Sequence, residues 1–181
     1  MSIVINPSLW YARLVNYKNG SDQDYTLVAA LIAAYLTAHQ NRIEPLLGGA
    51  LSHIAVVPST RGRRFDIHPL ANAVKRSRAF GSRLSNALSH VAGATIKRQE
   101  YKPSIYSVDA SLVRGGRVVI VEDLWVSGAR AVSAAGAIMD AGAKSVLILP
   151  VARELRSSNL FCPEEYVADV KKRYDVDAWP R

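Results

Sequence analysis

Two adjacent carboxylates, Glu122 and Asp123, follow the apolar run VVIV and precede the small-residue turn Val126-Ser127-Gly128-Ala129-Arg130. The alanine-rich segment after the turn has helical character. A helix opening on such a turn offers free backbone N–H groups and the positive end of its dipole, and together these hold a phosphate. Ser127 adds a hydroxyl donor, and Gly128 lets the backbone come close to a ligand. Two acids beside the turn would repel a bare anion. The conflict disappears for a ligand with a phosphate at one end and hydroxyls, or a bound cation, at the other. Carboxylates accept hydrogen bonds from sugar hydroxyls and support Mg²⁺, often through water. A phosphorylated ribose meets both demands.

A second polar loop, Ser59-Thr60-Arg61-Gly62-Arg63-Arg64, comes directly after the apolar stretch SHIAVVP. Its arginines could hold a polyphosphate, or the loop is a generic basic turn. Lys97 and Arg98 open an irregular stretch over 95–114 and are either surface charges or the cationic tip of a mobile lid. Trp125 could stack on an acceptor base or pack beneath the fold. His39, His53, His68 and His90 lack metal-ligand spacing and read as structural or exposed. The single cysteine, Cys162, is followed by acids in FCPEEY and not by a base, so it reads as a small apolar filler.

Several elements must position these groups. Residues 22–42 form a helix, with Leu27, Leu31, Tyr35 and Val28, Ile32, Leu36 at helical spacing and Ser21 or Asp22 as cap. Gly48-Gly49 ends it. Residues 52–57 form a strand closed by Pro58. Residues 68–79 and 81–92 are two helical segments interrupted at Gly81. The run Arg117–Val121 shows no alternation and is a strand buried on both faces, as in a parallel sheet. Residues 129–141 form a helix stopped by Gly142. Residues 145–152 are another central strand, and 163–173 a further helix. Trp10, Tyr11 and Tyr17 pack the N-terminal segment on the sheet. Strand, helix and strand with short joins make right-handed βαβ units, so the fold class is α/β, a doubly wound and mostly parallel sheet flanked by helices. Ligands of such sheets sit beyond the carboxyl ends of the strands. The loops 58–64 and 122–130 both leave such ends and therefore share one crevice.

At 181 residues the chain fits one domain, with a core over about 50–155 and hood candidates at 1–48 and 153–181. Hydrophobic residues make up 49% and charged ones 21%, which argues against disorder. The run LVAALIAAYL is too short for a membrane span, and no secretory pattern opens the chain, so the cytoplasm is the expected compartment. A net charge of +8 favours anionic partners, either a small polyphosphate or nucleic acid.

VVIVEDLWVSGARA resembles the phosphoribosyl-pyrophosphate signature of type I phosphoribosyltransferases: four apolar residues, two acids, two mixed residues, then a Thr/Asp–Thr/Ser–Gly–x–Thr loop. The likeness continues through AAGAIMDAGAKSVLILPVAR. Upstream, LVNYKNGSDQDYTLVAALIAAYL and AVVPSTRGRRF are similar to the competence-associated, ComF-like branch, so the resemblance spans roughly residues 10–155. That branch usually begins with a cysteine zinc module. One cysteine cannot build it, so zinc is not expected.

The resemblance implies phosphoribosyl transfer to a nitrogenous acceptor, with release of pyrophosphate. It implies that Glu122 and Asp123 hold the ribose 2- and 3-hydroxyls, that Val126, Ser127, Gly128, Ala129 and Arg130 wrap the 5-phosphate, and that Ser59, Thr60, Arg61 and Gly62 hold pyrophosphate. Mg²⁺ would bridge pyrophosphate and ribose, with Glu122 and Asp123 supporting it indirectly. Lys97 and Arg98 would come from the lid. Val126 stands where many members carry Asp or Thr, which argues against hypoxanthine or guanine as acceptor. Arg130 replaces the usual final Thr, and it either reaches the phosphate or points away. Three readings stay open: the enzyme, as a monomer or as a homodimer like many relatives; a non-catalytic sensor of phosphoribosyl pyrophosphate or a nucleotide; and a DNA-associated accessory protein of the competence type. No recognised nucleic-acid motif supports the third.

Overall fold

The central strand is β5, Arg117–Trp125, and its residues Val118 to Val121 are all fully buried. Successive side chains of a strand point to opposite faces. Val119 and Val121 accordingly join one core cluster and Val118 and Ile120 the other. A run without polar alternation folds here because neither face of β5 is left to water.

The computed structural model describes residues 2–5, 12, 16–17, 22–59, 68–77, 80–155, 165 and 168. In chain order these form β1 (Ser2–Ile5), α1 (Asp22–Leu47), β2 (His53–Val56), α2 (Pro69–Lys75), β3 (Leu88–His90), β4 (Tyr106–Val108), β5, α3 (Ala129–Asp140) and β6 (Ser145–Leu155). The main sheet is parallel throughout, in the order β1-β6-β5-β2. Helices α1 and α2 contribute to the core on one face, and α3, with the small antiparallel pair β3–β4, to the core on the other. This is a mixed α/β fold with helices flanking a parallel sheet.

Helix α1 is longer than its sequence pattern suggests. It runs past residue 42 because Ile43 and Leu47 continue the buried stripe of Val28, Ile32 and Leu36. Pro45 lies in its last turn, close to where the helix ends anyway. Gly48 N–H then donates to Pro45 O (3.0 Å) and Gly49 N–H to Glu44 O (2.9 Å), with Gly48 at φ +73°. This is the Schellman closure that a left-handed glycine permits. The Ser21/Asp22 cap lies outside the described side chains.

Four expectations need correction. The segment 81–92 is not a helix: Gly81–Arg83 is a single 3₁₀ turn, and Leu88–His90 is a strand. That strand pairs with Tyr106–Val108, so the stretch 95–114 contains a strand and two 3₁₀ turns as well as loop. The pairing is long-range, and three-residue strands carry too little periodicity to announce themselves. The segment 68–79 shortens to Pro69–Lys75, opened by His68, whose Nδ1 accepts from Leu70 N–H at 3.2 Å. Residues 2–5, read as part of a hood, instead form an edge strand of the main sheet.

The expected strand 145–152 continues to Leu155, and β5 continues with it through Trp125. Pro150 sits inside β6, where a missing N–H is normally costly. Strand β1 pairs only from Ala152 onward, so among the described residues no strand pairs with that flank of β6 at Pro150. Helix α3 ends as expected at Gly142, with φ +94°. The helix expected at 163–173 lies outside the described residues, except that Glu165 and Ala168 are helical. No described helix is long and apolar enough to cross a membrane.

Truncating the centre of β5 tests this core. Ile120→Ala should cost about 2–5 kcal/mol by chemical denaturation. Leu46→Ala, at a position 72% exposed, should cost under about 0.5 kcal/mol.

Candidate functional site

Glu122 and Asp123 sit inside β5, not after it, because β6 keeps pairing alongside them: Glu122 lies opposite Pro150 and Trp125 opposite Arg153. On the other side β2 stops at Val56, opposite Val121. The acids are thus the first residues of β5 to outrun β2, at the carboxyl end of the sheet. Ser59 leaves the neighbouring strand at the same end and is exposed. Thr60, Arg61 and Gly62, the remainder of the expected pyrophosphate loop, lie outside the described residues, as do Arg63 and Arg64.

Both carboxylates are buried, Glu122 at 3% exposure and Asp123 at 6%. Their pairings show how the site is built. Arg130, the second residue of α3, reaches back so that its Nη2 lies 3.1 Å from Glu122 Oε1 and 3.9 Å from Asp123 Oδ1. Asp123 Oδ1 also accepts from Leu124 N–H at 2.9 Å, and its Oδ2 from the Tyr17 hydroxyl at 3.3 Å. The Arg130 side chain turns onto the acids.

The turn between acids and helix is fixed by Trp125 and Gly128. Gly128 has φ +77°, and a Cβ built there would fall on the Trp125 indole. Trp125 therefore packs beneath the turn, half-buried against the α3 side of the core. Ser127 Oγ accepts from Ala129 N–H (3.4 Å), and Val132 N–H donates to Gly128 O (2.9 Å) as the helix begins. Val126 is half-buried and brings no polar atom.

Three residues at or near this end of the sheet carried no functional signal in the sequence. Tyr17 reads as packing and does pack, yet its hydroxyl serves Asp123. Burial drives its proton affinity up, and the neighbouring Asp123 charge and hydrogen bond drive it further. Tyr106 is 6% exposed, and its buried hydroxyl has no hydrogen-bond partner among the described residues. Its pKa is pushed up to about 12, mainly by burial, with Arg130 opposing and Glu122 adding to the rise. Glu154 is a third buried acid near the end of β6. A strand in the unpatterned 95–114 stretch could not have marked Tyr106. Glu154 stood out only as a charge ending an apolar run.

Lys97 and Arg98 are exposed on a turn where Lys97 N–H donates to Glu100 Oε2 at 2.7 Å. The segment behind them is tied to α3: Lys102 N–H donates to the buried Ser133 Oγ at 2.9 Å, and Tyr101 and Pro103 abut Gly136. An apolar cavity of about 290 Å³ lies between α1 and the sheet, lined by Leu31, Tyr35, Val121 and Val151 among others. Its lining suits no phosphate.

A divalent cation fits this arrangement poorly. Both Asp123 oxygens accept protein donors, and one Glu122 oxygen faces a guanidinium. The described residues hold no group of three His, Cys, Asp or Glu side chains able to ligate a metal. What the cluster can do is present a cation and two carboxylates together at the head of a helix. No protein-family model and no curated protein matches the chain.

Two outcomes test this geometry. Gly128→Ala should destabilise the chain by more than about 1 kcal/mol and shift Trp125 fluorescence, because the new methyl meets the indole and the backbone is left-handed. An unshifted emission spectrum would contradict the packing. Tyr106 should also make stability fall with alkaline pH. Its folded pKa lies above the ordinary value of 10.0, so its contribution is complete below pH 10 and is lost as pH rises toward about 12. In denaturation series across that window, Tyr106→Phe should lose stability less steeply than the wild type.

Proposed function

We propose that this chain is a phosphoribosyltransferase-like protein that binds 5-phosphoribosyl 1-pyrophosphate at the carboxyl end of β5. In this reading a nitrogenous acceptor attacks C1 with its lone pair. The C1–O bond breaks, pyrophosphate leaves with the electron pair, and the acceptor nitrogen gives up a proton. The observation that carries the reading is the adjacency of Glu122 and Asp123 to the left-handed Gly128 turn that opens α3. The turn's amides suit the 5-phosphate, and the carboxylates suit the ribose hydroxyls and the positive charge that develops at C1. The parallel α/β architecture supports the phosphoribosyltransferase fold as its finer description. Ser59 stands on the adjacent strand's exit, where the reading needs pyrophosphate donors.

Mg²⁺ enters this reading as the companion of the diphosphate, because the carboxylates already serve protein donors. Val126, an aliphatic side chain, can neither take nor give a proton to the acceptor.

One observation favours a second reading. The acids are covered by Arg130 and held by Tyr17, an arrangement that suits a sensor which recognises the sugar phosphate without turning it over.

Calorimetry compares the ligand with its fragment. The wild-type chain should bind phosphoribosyl pyrophosphate more tightly than pyrophosphate, by about tenfold or more if two hydroxyls bond to charged acceptors. Glu122→Gln with Asp123→Asn should erase that difference. Equal affinities in the wild type would overturn the reading. Pyrophosphate release in the presence of bases or small amines separates the enzyme from the sensor.

A further inference from the structure

We propose that the apolar cavity beneath α1 is the subsite for the nitrogenous acceptor, and that this acceptor is an uncharged, fused-ring aromatic heterocycle with few polar substituents. The inference rests on the phosphoribosyl reading of the site and names the substrate class that the cavity selects.

Strand register sets where the cavity lies. Its floor is Val121 of β5 with Leu149 and Val151 of β6, and its wall is Leu31 and Tyr35 of α1. All five belong to, or pack against, the core on the α1 face. Side chains of a strand alternate between faces, so Asp123 shares this face with Val121, about 7 Å further along the strand. The hydrogen bond it accepts from Tyr17, a member of the same core, agrees. Glu122 pairs with Pro150 and Leu124 with Ala152, so Asp123 stands level with Val151, about 5 Å across the sheet. The cavity thus begins one strand spacing from the acid. A ring lying in it turns its leading edge toward Asp123, where the phosphoribosyl reading puts C1.

Size and lining select the guest. The cavity measures about 290 Å³. An apolar protein cavity of about 150 Å³ holds benzene, so there is room here for a second, fused ring. Interiors keep few voids larger than a water molecule, and this one is kept open by small residues. Ala34 and Ala38, one helical turn apart on α1, line it and are exposed. Pro150 lines it half-buried, on the flank of β6 that no described strand pairs. These positions form its mouth.

Among the described lining residues only Tyr35 has a polar side-chain atom. Burying a charge against such walls is very costly, and burying a polar group without a partner is costly too. Alkyl ammonium ions are therefore rejected, as are bases rich in exocyclic oxygens and amino groups. Tyr35 offers a flat face instead. Its ring packs on His39 with centroids 4.4 Å apart, which steadies it for contact with a guest ring. In the transfer step the unprotonated ring nitrogen forms the N–C1 bond with its lone pair. Pyrophosphate leaves with the C1–O electrons, and the other ring nitrogen of a benzimidazole-type acceptor gives up its proton to solvent.

Benzimidazole and adenine are probes of similar size that differ in polar groups. By calorimetry the wild-type chain should bind benzimidazole at least about tenfold more tightly than adenine. In methyl NMR spectra benzimidazole should shift the Leu31, Val121, Leu149 and Val151 resonances. Ala34→Leu with Ala38→Leu narrows the mouth from exposed positions on a helix that leucine favours. The double variant should lose benzimidazole affinity by about tenfold or more and keep its affinity for phosphoribosyl pyrophosphate. Pyrophosphate release with benzimidazole and not with adenine supports the acceptor role. Adenine bound as tightly as benzimidazole overturns the subsite, as do shifts confined to residues outside the cavity. If the double variant does not fold, the wild-type affinities and spectra decide alone. A chain that binds phosphoribosyl pyrophosphate and ignores benzimidazole overturns this inference alone. One that binds benzimidazole in the cavity and ignores phosphoribosyl pyrophosphate keeps the heterocycle site and overturns the phosphoribosyl reading.

Discussion

A buried pair of adjacent carboxylates cannot stand in a protein core without a counter-charge, and among the described residues that charge comes from the first turn of the next helix. Arg130 reaches back over the three-residue turn Val126–Gly128 to both Glu122 and Asp123. That ion cluster constrains everything around it. The turn must be tight, so Gly128 adopts a left-handed conformation and Trp125 fills the space beneath it. Helix α3 must begin at once, so that its second residue still faces the strand. Removal of either partner from such a cluster costs several kcal/mol, whereas the intact cluster adds little net stability.

The sheet places this cluster at its carboxyl end. Strand β2 ends opposite Val121, one residue before the acids, while β6 continues to Leu155. The step between these two ends makes the acids the first residues of β5 past the rim on one side and keeps them braced on the other. Tyr17 hydrogen-bonds Asp123 and belongs to the core on one face of the sheet, while Tyr106 belongs to the core on the other. A site assembled from a strand end, a helix start and two distant tyrosines exists only when the whole domain is folded.

The sequence made part of this legible. The unbroken apolar run of β5, the helical stripe of α1 and the glycine stops at Gly48 and Gly142 all express local periodicity and backbone sterics, and each appears in the fold. The acid pair and glycine turn are contiguous, so their closeness needed no tertiary information. The remainder depended on contacts between remote segments. Leu88–His90 is a strand only because Tyr106–Val108 lies beside it. The acids fall within β5 only because β6 runs longer than its apolar core. Arg130 could face a ligand or the acids with identical local sequence, and Tyr106 sits in a stretch without pattern. Charge balance across the turn could have flagged Arg130: two acids followed seven residues later by the first cation invite an internal pair.

The central claim is that the carboxylates and the head of α3 form one site for a sugar phosphate. Diffraction from crystals soaked in ribose 5-phosphate addresses it most directly. The account predicts phosphate oxygens against the Ser127–Arg130 amides, with ribose hydroxyls on Glu122 and Asp123. A sugar phosphate bound elsewhere would contradict it.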